Sequence, residues 1–444
     1  MIDHPDPITR LVRVCRPDEP LEPNDPRYVD CDQVRGANLV ETLERAVRTA
    51  DPERPLFKLF AGHRGIGKTS ELLRLRFELQ KPKGAETERP FVVFFDASEL
   101  LDINDLDFPD LLVCMAAQVL TQLQNTRIPG FETGGVSLRR VWRDLKQALK
   151  TDVRFPKAEI GAAAFGSLTM EFRNRPNARE RLREAIELHS TNLVEAFNDL
   201  LRTAGVKLRS AKKNACKGLL LIVDGLDKLE RRTLPDGRGN THDRLFIDRG
   251  ERLTSLAAHT VYTVPISLIY SPRSAQLAQT FGEDPVPLPM IKLHDRRQSD
   301  VTPATEGMKM LMKILEKRCE QAGVRRFDVF DDEDTIHYLC RMTGGHPRRL
   351  MMFIQAAANA VPRLPITRQA AEQAVNNYAN SLLREMPDAF WPKLKKFTSP
   401  QDDIPKDDHH QQMLLLLHVF EYMNHRPWYE VNPVLRELPK FQGK

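Results

Sequence analysis

The stretch Gly62-His63-Arg64-Gly65-Ile66-Gly67-Lys68-Thr69 matches the pattern G-x-x-x-x-G-K-[ST] at every fixed position. The pattern constrains the fold because it works only as a turn between a strand and a helix. Upstream, Pro55 to Phe60 (PLFKLF) reads as a short strand. Downstream, Thr69 to Gln80 (TSELLRLRFELQ) carries apolar Leu72, Leu73, Leu75, Phe77 and Leu79 and reads as a mostly buried helix. Glycines let backbone N–H groups turn inward, and no Cβ obstructs an approaching anion. The helix begins at the loop, where its dipole favours negative charge. In such a loop the backbone from Gly62 to Thr69 cradles phosphate oxygens. Lys68 reaches the β- and γ-phosphates of a nucleotide, and the Thr69 hydroxyl ligates Mg2+.

With 444 residues the chain is too long for one ordinary core, and two or three domains are expected. It is 41% hydrophobic and 29% charged, as suits a water-soluble protein. No run approaches the ~20 apolar residues that span a bilayer, so no membrane partner is expected. The start, MIDHPDPITR, is polar and proline-bearing, unlike a signal peptide. Cys15, Cys31, Cys114, Cys216, Cys319 and Cys340 are scattered without a C-x-x-C pair. That argues against structural zinc and a disulfide framework, and for a reducing cytoplasm. Between Arg139 and Arg183 there are 12 Lys and Arg against 5 Asp and Glu, so this segment's 12 − 5 = +7 exceeds the +5 of the whole chain. Such a patch attracts nucleic acid or an acidic protein, or is simply a solvated face.

The pattern along the chain is that of an α/β protein, a P-loop three-layer core with a parallel sheet followed by a helical lid. Residues 1–27 read as an extended arm, and Val34 to Thr49 as one helix. Pro90 to Asp96 (PFVVFFD) and Leu219 to Asp224 (LLLIVD) are continuous apolar runs typical of buried parallel strands, each ending in aspartate. Ligands of open α/β sheets bind at that strand end. Thr260 to Tyr270 (TVYTVPISLIY) reads as a further strand running to Ser271-Pro272-Arg273, and Val286 to Leu293 as a last one. An insert at about 127–185 interrupts the core, with a hairpin expected around Phe165-Gly166-Ser167 and a helix from Arg179 to Leu201. The expected domains are a core over 28–295, a helical lid over 296–386, and a linker with a small winged-helix-like module over 387–444. That module begins with a helix from Gln411 to Tyr422, and from Asp388 to Lys444 it balances 8 basic against 8 acidic residues. Neutrality makes it a poor reader of duplex DNA.

In this order the motifs resemble the AAA+ and STAND class of P-loop ATPases, over about residues 28–384. Gly62 to Thr69 is similar to Walker A, and Leu219 to Asp224 to Walker B. The continuation Asp224-Gly225-Leu226-Asp227 resembles the D-G-x-D form of STAND proteins. Ordinary AAA+ enzymes place a glutamate where Gly225 stands. The resemblance therefore implies a slow switch, with Asp224 on Mg2+ and Asp227 orienting water. Arg273 resembles sensor 1, and Arg348 of Gly344-Gly345-His346-Pro347-Arg348 resembles sensor 2, with Arg349 beside it. Tyr28-Val29-Asp30 lies where such proteins bracket the adenine. The loop GHRGIGKT and the strand VYTVPISLIYS are also similar to ATPase components of bacterial conflict or defence systems.

The resemblance implies an ATP-hydrolysing switch, with Mg2+-ATP between core and lid and coupling to a protein partner or effector. A nucleic-acid-binding loader or transposition regulator is the first alternative. A scaffold that nucleotide merely stabilises is the second. Oligomerisation would let Arg249 or Arg252 complete a neighbour's site, as arginine fingers do.

Overall fold

In a computed structural model of the chain, the apolar runs become parallel strands. The structure describes residues 5–83, 89–125, 176–210, 216–234, 239–296, 305–397 and 399–442, with isolated positions 143, 166, 167, 169, 170, 173, 174 and 237. The strands are β1 (Phe57–Gly62), β2 (Arg89–Asp96), β3 (Cys216–Asp224), β4 (His259–Thr263) and β5 (Val286–Leu288), in the order β2-β3-β4-β1-β5. The pairs β2–β3, β3–β4 and β4–β1 are parallel. Leu219 to Val223 in β3 are all buried, because parallel strands are covered on both faces by their crossover helices. The register sets Asp96 directly beside Asp224 at the carboxyl ends of β2 and β3.

Packing divides the chain into two units, residues 40–61 with 75–286, and residues 1–39 with 62–74 and 287–444. The first is built on β1 to β4. Its core joins Val93, Leu120, Phe197, Leu221, Phe246 and Tyr262, all at most 3% exposed. Full burial of such a side chain contributes about 1.5–3 kcal/mol. The helices Phe108–Asn125 and Pro176–Ser210 supply much of the cover. The second unit holds the phosphate-loop residues, the helices Glu306–Ala322, Glu333–Met342, Pro347–Asn359 and Arg368–Glu385, and a C-terminal helix Asp408–Leu415. That helix is followed by the antiparallel hairpin β6 (Val419–Met423) and β7 (Pro427–Val431).

Several expectations need correction. The N-terminal arm contains a helix, Pro7–Val14, capped by Asp6, whose carboxylate accepts from the N–H groups of Ile8 and Thr9. Val34 to Thr49 is two helices, because Gly36 ends the first in the left-handed conformation. β4 stops at Thr263: Pro265 cannot donate to a ladder, and a short helix Ile266–Ile269 follows. The C-terminal helix ends at Leu415, and Tyr422 is in a strand. Most of the basic segment and of the expected hairpin lies outside the described residues. At Gly166, Ser167, Thr169 and Met170 the chain is helical, not extended.

Candidate functional site

The phosphate-loop motif lies where the sequence puts it, between β1 and the helix Lys68–Leu79. Gly65 has φ +80°, and a Cβ there would lie 2.7 Å from Arg348 Cδ and 2.8 Å from His346 Cε1. Only glycine fits that turn without strain. The Lys68 ammonium is buried and donates to the carbonyls of Gly62 (2.8 Å) and His63 (2.7 Å). Its charge is thereby turned onto the inside of the loop. Lys68 opens the helix, and Thr69 is its second residue.

The other loop residues are held by their own unit. His63 is 1% exposed. Its Nδ1 lies 3.0 Å from the Leu414 carbonyl, and its Nε2 accepts from the Glu421 N–H at 2.8 Å. Both bonds form only with the neutral ring protonated on Nδ1. Burial pushes the His63 pKa down to about 3. The Arg64 carbonyl accepts from His346 Nε2 at 2.7 Å, and the Gly65 carbonyl accepts from the Arg348 N–H at 3.4 Å. His346 caps its own helix by accepting the Arg349 N–H on Nδ1, and burial holds its pKa well below the usual histidine range. The Ile66 carbonyl accepts from buried Arg35 at 2.6 Å, and Arg35 also donates to the Pro289 carbonyl. Arg35 was not singled out by sequence, because an arginine in a short helix carries no local signal of a loop 31 residues away.

The guanidinium of Arg348 donates to the Pro17 carbonyl (3.0 Å) and pairs with Asp18 (3.2 Å). The motif therefore meets the loop through backbone and His346, while the arginine side chain meets the N-terminal arm. Arg349 stacks on Tyr378, 3.5 Å above the ring. The Tyr28 hydroxyl donates to Glu71 at 3.3 Å, beside Arg74, which pairs with Asp30 and Asp32. The Val29 carbonyl accepts from the Cys31 thiol.

In the other unit, Asp224 is the last residue of β3 and 1% exposed, and its Oδ1 accepts from the Gly225 N–H at 2.7 Å. Asp227 is buried in the tight turn Leu226–Lys228. Arg273 lies ten residues beyond the end of β4 (273 − 263), so it does not hold the strand-end position expected of it. Its guanidinium pairs with Asp248 at 2.7 Å and bonds Gln276. The polar side chain that does end β4 is Thr263, fully buried, whose Oγ1 accepts from the Leu226 N–H at 3.1 Å. The extended strand reading hid it. Arg249 and Arg252 pair within the chain, both with Glu187.

Among the described residues no group of three or more His, Cys, Asp and Glu could hold a metal ion. Thr69 and Asp224, the oxygen donors expected from the motifs, lie in different units. Among the described residues no helix is long and apolar enough to cross a membrane.

No model of a known protein family and no curated protein sequence matches the chain. Solved structures do. A Walker-type ATPase of Pyrococcus abyssi is 13% identical, with 97% of this chain and 99% of that one covered and a TM-score of 0.44. The Aeropyrum pernix ORC2 protein, solved as ADPNP–ADP complexes, is 13% identical over 97% and 96%, with a TM-score of 0.45. Cdc6p from Pyrobaculum aerophilum is 12% identical over 97% of both chains, with a TM-score of 0.40. These are distant likenesses, and no ligand or partner of this chain follows from them.

Proposed function

We propose that this chain, a P-loop NTPase of AAA+ type by its own motifs and fold, binds Mg2+-ATP and hydrolyses it slowly as a molecular switch. The observation that carries the reading is the complete Gly62 to Thr69 motif folded as strand, loop and helix, with Lys68 drawn inside it. By the motifs, Lys68 would hold the β- and γ-phosphates, and Thr69 and Asp224 would supply protein oxygens to Mg2+. When bound, that ion neutralises charge on the phosphates. The adenine end is assigned to Tyr28 and Val29.

The switch has a physical basis in the loop's own contacts. Carbonyls of Arg64 and Gly65 are held by His346 and the Arg348 N–H, and His63 is held by the C-terminal helix and hairpin. A phosphate that reorganises the loop must strain or release these bonds. That couples nucleotide state to the lid helices and the C-terminal module, and through them to a partner or effector, in our reading within a bacterial defence system. Arg348 becomes available to the γ-phosphate if its bonds to Pro17 and Asp18 open. A nucleic-acid loader remains the second reading, favoured by the +7 between Arg139 and Arg183.

Lys68→Ala tests the reading. Two charge-assisted contacts at ~1.5–3 kcal/mol each predict an ATP affinity loss of at least about 100-fold by calorimetry. A folded variant with undiminished affinity would remove the assignment.

A further inference from the structure

A carboxylate already fills the place where ordinary AAA+ enzymes carry their Walker B glutamate side chain. Gly225 follows Asp224 with φ +79°, and a Cβ built there would lie 1.9 Å from Asp96 Oδ1 and 2.9 Å from Asp96 Cγ. No side chain can project from position 225 while Asp96 is in place. Asp96 ends β2, paired in register with Asp224, so the two carboxylates stand side by side at the carboxyl edge of the sheet.

Asp96 is held there from both sides. Its Oδ1 accepts from the Ser98 N–H (2.8 Å) and Ser98 Oγ (2.5 Å). Its Oδ2 pairs with Lys228 Nζ at 2.9 Å, and Lys228 also donates to Ser98 Oγ at 2.9 Å. Burial alone would favour the neutral acid, but the bonds from Lys228 and Ser98 outweigh it, and the pKa is lowered overall. A helix cap accounts for the bonds to Ser98. It does not account for Lys228, nor for the exclusion of every side chain at 225. Asp227, by contrast, is 6% exposed inside a turn whose first N–H, that of Leu226, is fixed by Thr263.

We propose that Asp96 is the carboxylate that orients the attacking water, standing in from the neighbouring strand for the missing Walker B glutamate. This rests on the ATPase reading above. The water oxygen forms the new bond to the γ-phosphorus. The bond from that phosphorus to the β,γ-bridging oxygen breaks, and its electron pair leaves on ADP. Asp96 accepts the water's hydrogen bond and then its proton, which passes to solvent. Lys228 and Ser98 are positioning residues that aim the carboxylate. The loose transition state of phosphoryl transfer needs placement of the water more than a strong base, which suits an acid of lowered pKa.

The experiment uses the full chain and three readouts: ATP affinity by calorimetry, phosphate release, and thermal unfolding without nucleotide. Asn keeps the cap at 96 and removes the charge. Asp96→Asn should lower turnover by about 100-fold or more, with ATP affinity changed by less than about threefold. Asp96→Glu should retain part of the turnover. Gly225→Ala should lower the unfolding midpoint more in wild type than in Asp96→Ala, because the overlap is with the Asp96 carboxylate. Normal turnover in Asp96→Asn, or a loss confined to Asp227→Asn, would overturn the inference and leave the ATPase reading standing. A wild-type chain that binds no ATP would overturn both.

Discussion

His63 accounts for both of its ring nitrogens with backbone groups of the C-terminal module. Because its pKa is about 3 in the folded chain and 6.5 is the ordinary value, the unfolded chain binds more protons between those pH values. Stability therefore rises with pH in that window. The contribution is fully present above pH 6.5 and is lost as pH falls toward 3. Over two pH units the term reaches about 2.7 kcal/mol. His418, pushed by burial to about 4, acts in the same direction, as does His346. His63→Gln cannot titrate and retains a donor and an acceptor. Urea unfolding at pH 7.5 and pH 4.5 should show wild type losing about 2–3 kcal/mol relative to this variant. A difference independent of pH would mean that His63 is not held neutral.

At the scale of elements, the hairpin β6–β7 depends on Phe420. Its ring, 2% exposed, lies 5.9 Å from His63, 6.4 Å from His346 and 6.4 Å from Tyr422. Phe420→Ala removes a buried aromatic where little can collapse, so a cost of about 3–5 kcal/mol is expected in urea unfolding, with Phe420→Leu much milder. A cost near zero would mean that the hairpin is not packed on the loop unit.

This hairpin also shows what the sequence conceals. LLLLHVFEYM has no period that separates helix from strand, and the change comes at Leu417, a non-glycine residue with φ +63°. The strand ending at Asp224 was legible because a buried parallel strand must be apolar throughout. β4 was read too long for the same reason: apolar residues continue past its end, and Pro265 was the stop signal passed over. Asp6 before Pro7 was likewise a legible helix start. Arg35, Thr263 and the Asp96–Gly225 overlap depend on contacts between segments far apart in sequence, and no local pattern encodes them.

For the whole molecule, the choice of partner lies with its charge. The +7 between Arg139 and Arg183 is partly spent internally: Arg179 pairs with Asp102 and Asp105, and Arg183 with Asp105 and Asp110. Burial pushes the Asp110 pKa up to about 6 despite Arg183 beside it, so that pair loses strength in mild acid. The test of a partner is therefore placed on residues earlier in the segment. Arg143 is exposed, and Arg139 and Arg140 lie outside the described residues. Reversing Arg139, Arg140 and Arg143 to Glu changes the local charge by six, three residues at two units each. A substitution at an exposed position such as Arg143 usually shifts stability by under about 0.5 kcal/mol. ATP affinity should be retained, since none of the three is in a nucleotide motif, while partner binding falls sharply. Salt titration then decides what the partner is. Duplex DNA gives a slope of log affinity against log salt near −0.9 for each phosphate neutralised, so losing three contacts should flatten that slope by roughly 2.7. An acidic protein gives a shallower dependence that the reversal also weakens. If the triple variant keeps every association of the wild type at every salt concentration, the segment is a solvated face, and neither the nucleic-acid reading nor an acidic docking partner survives there.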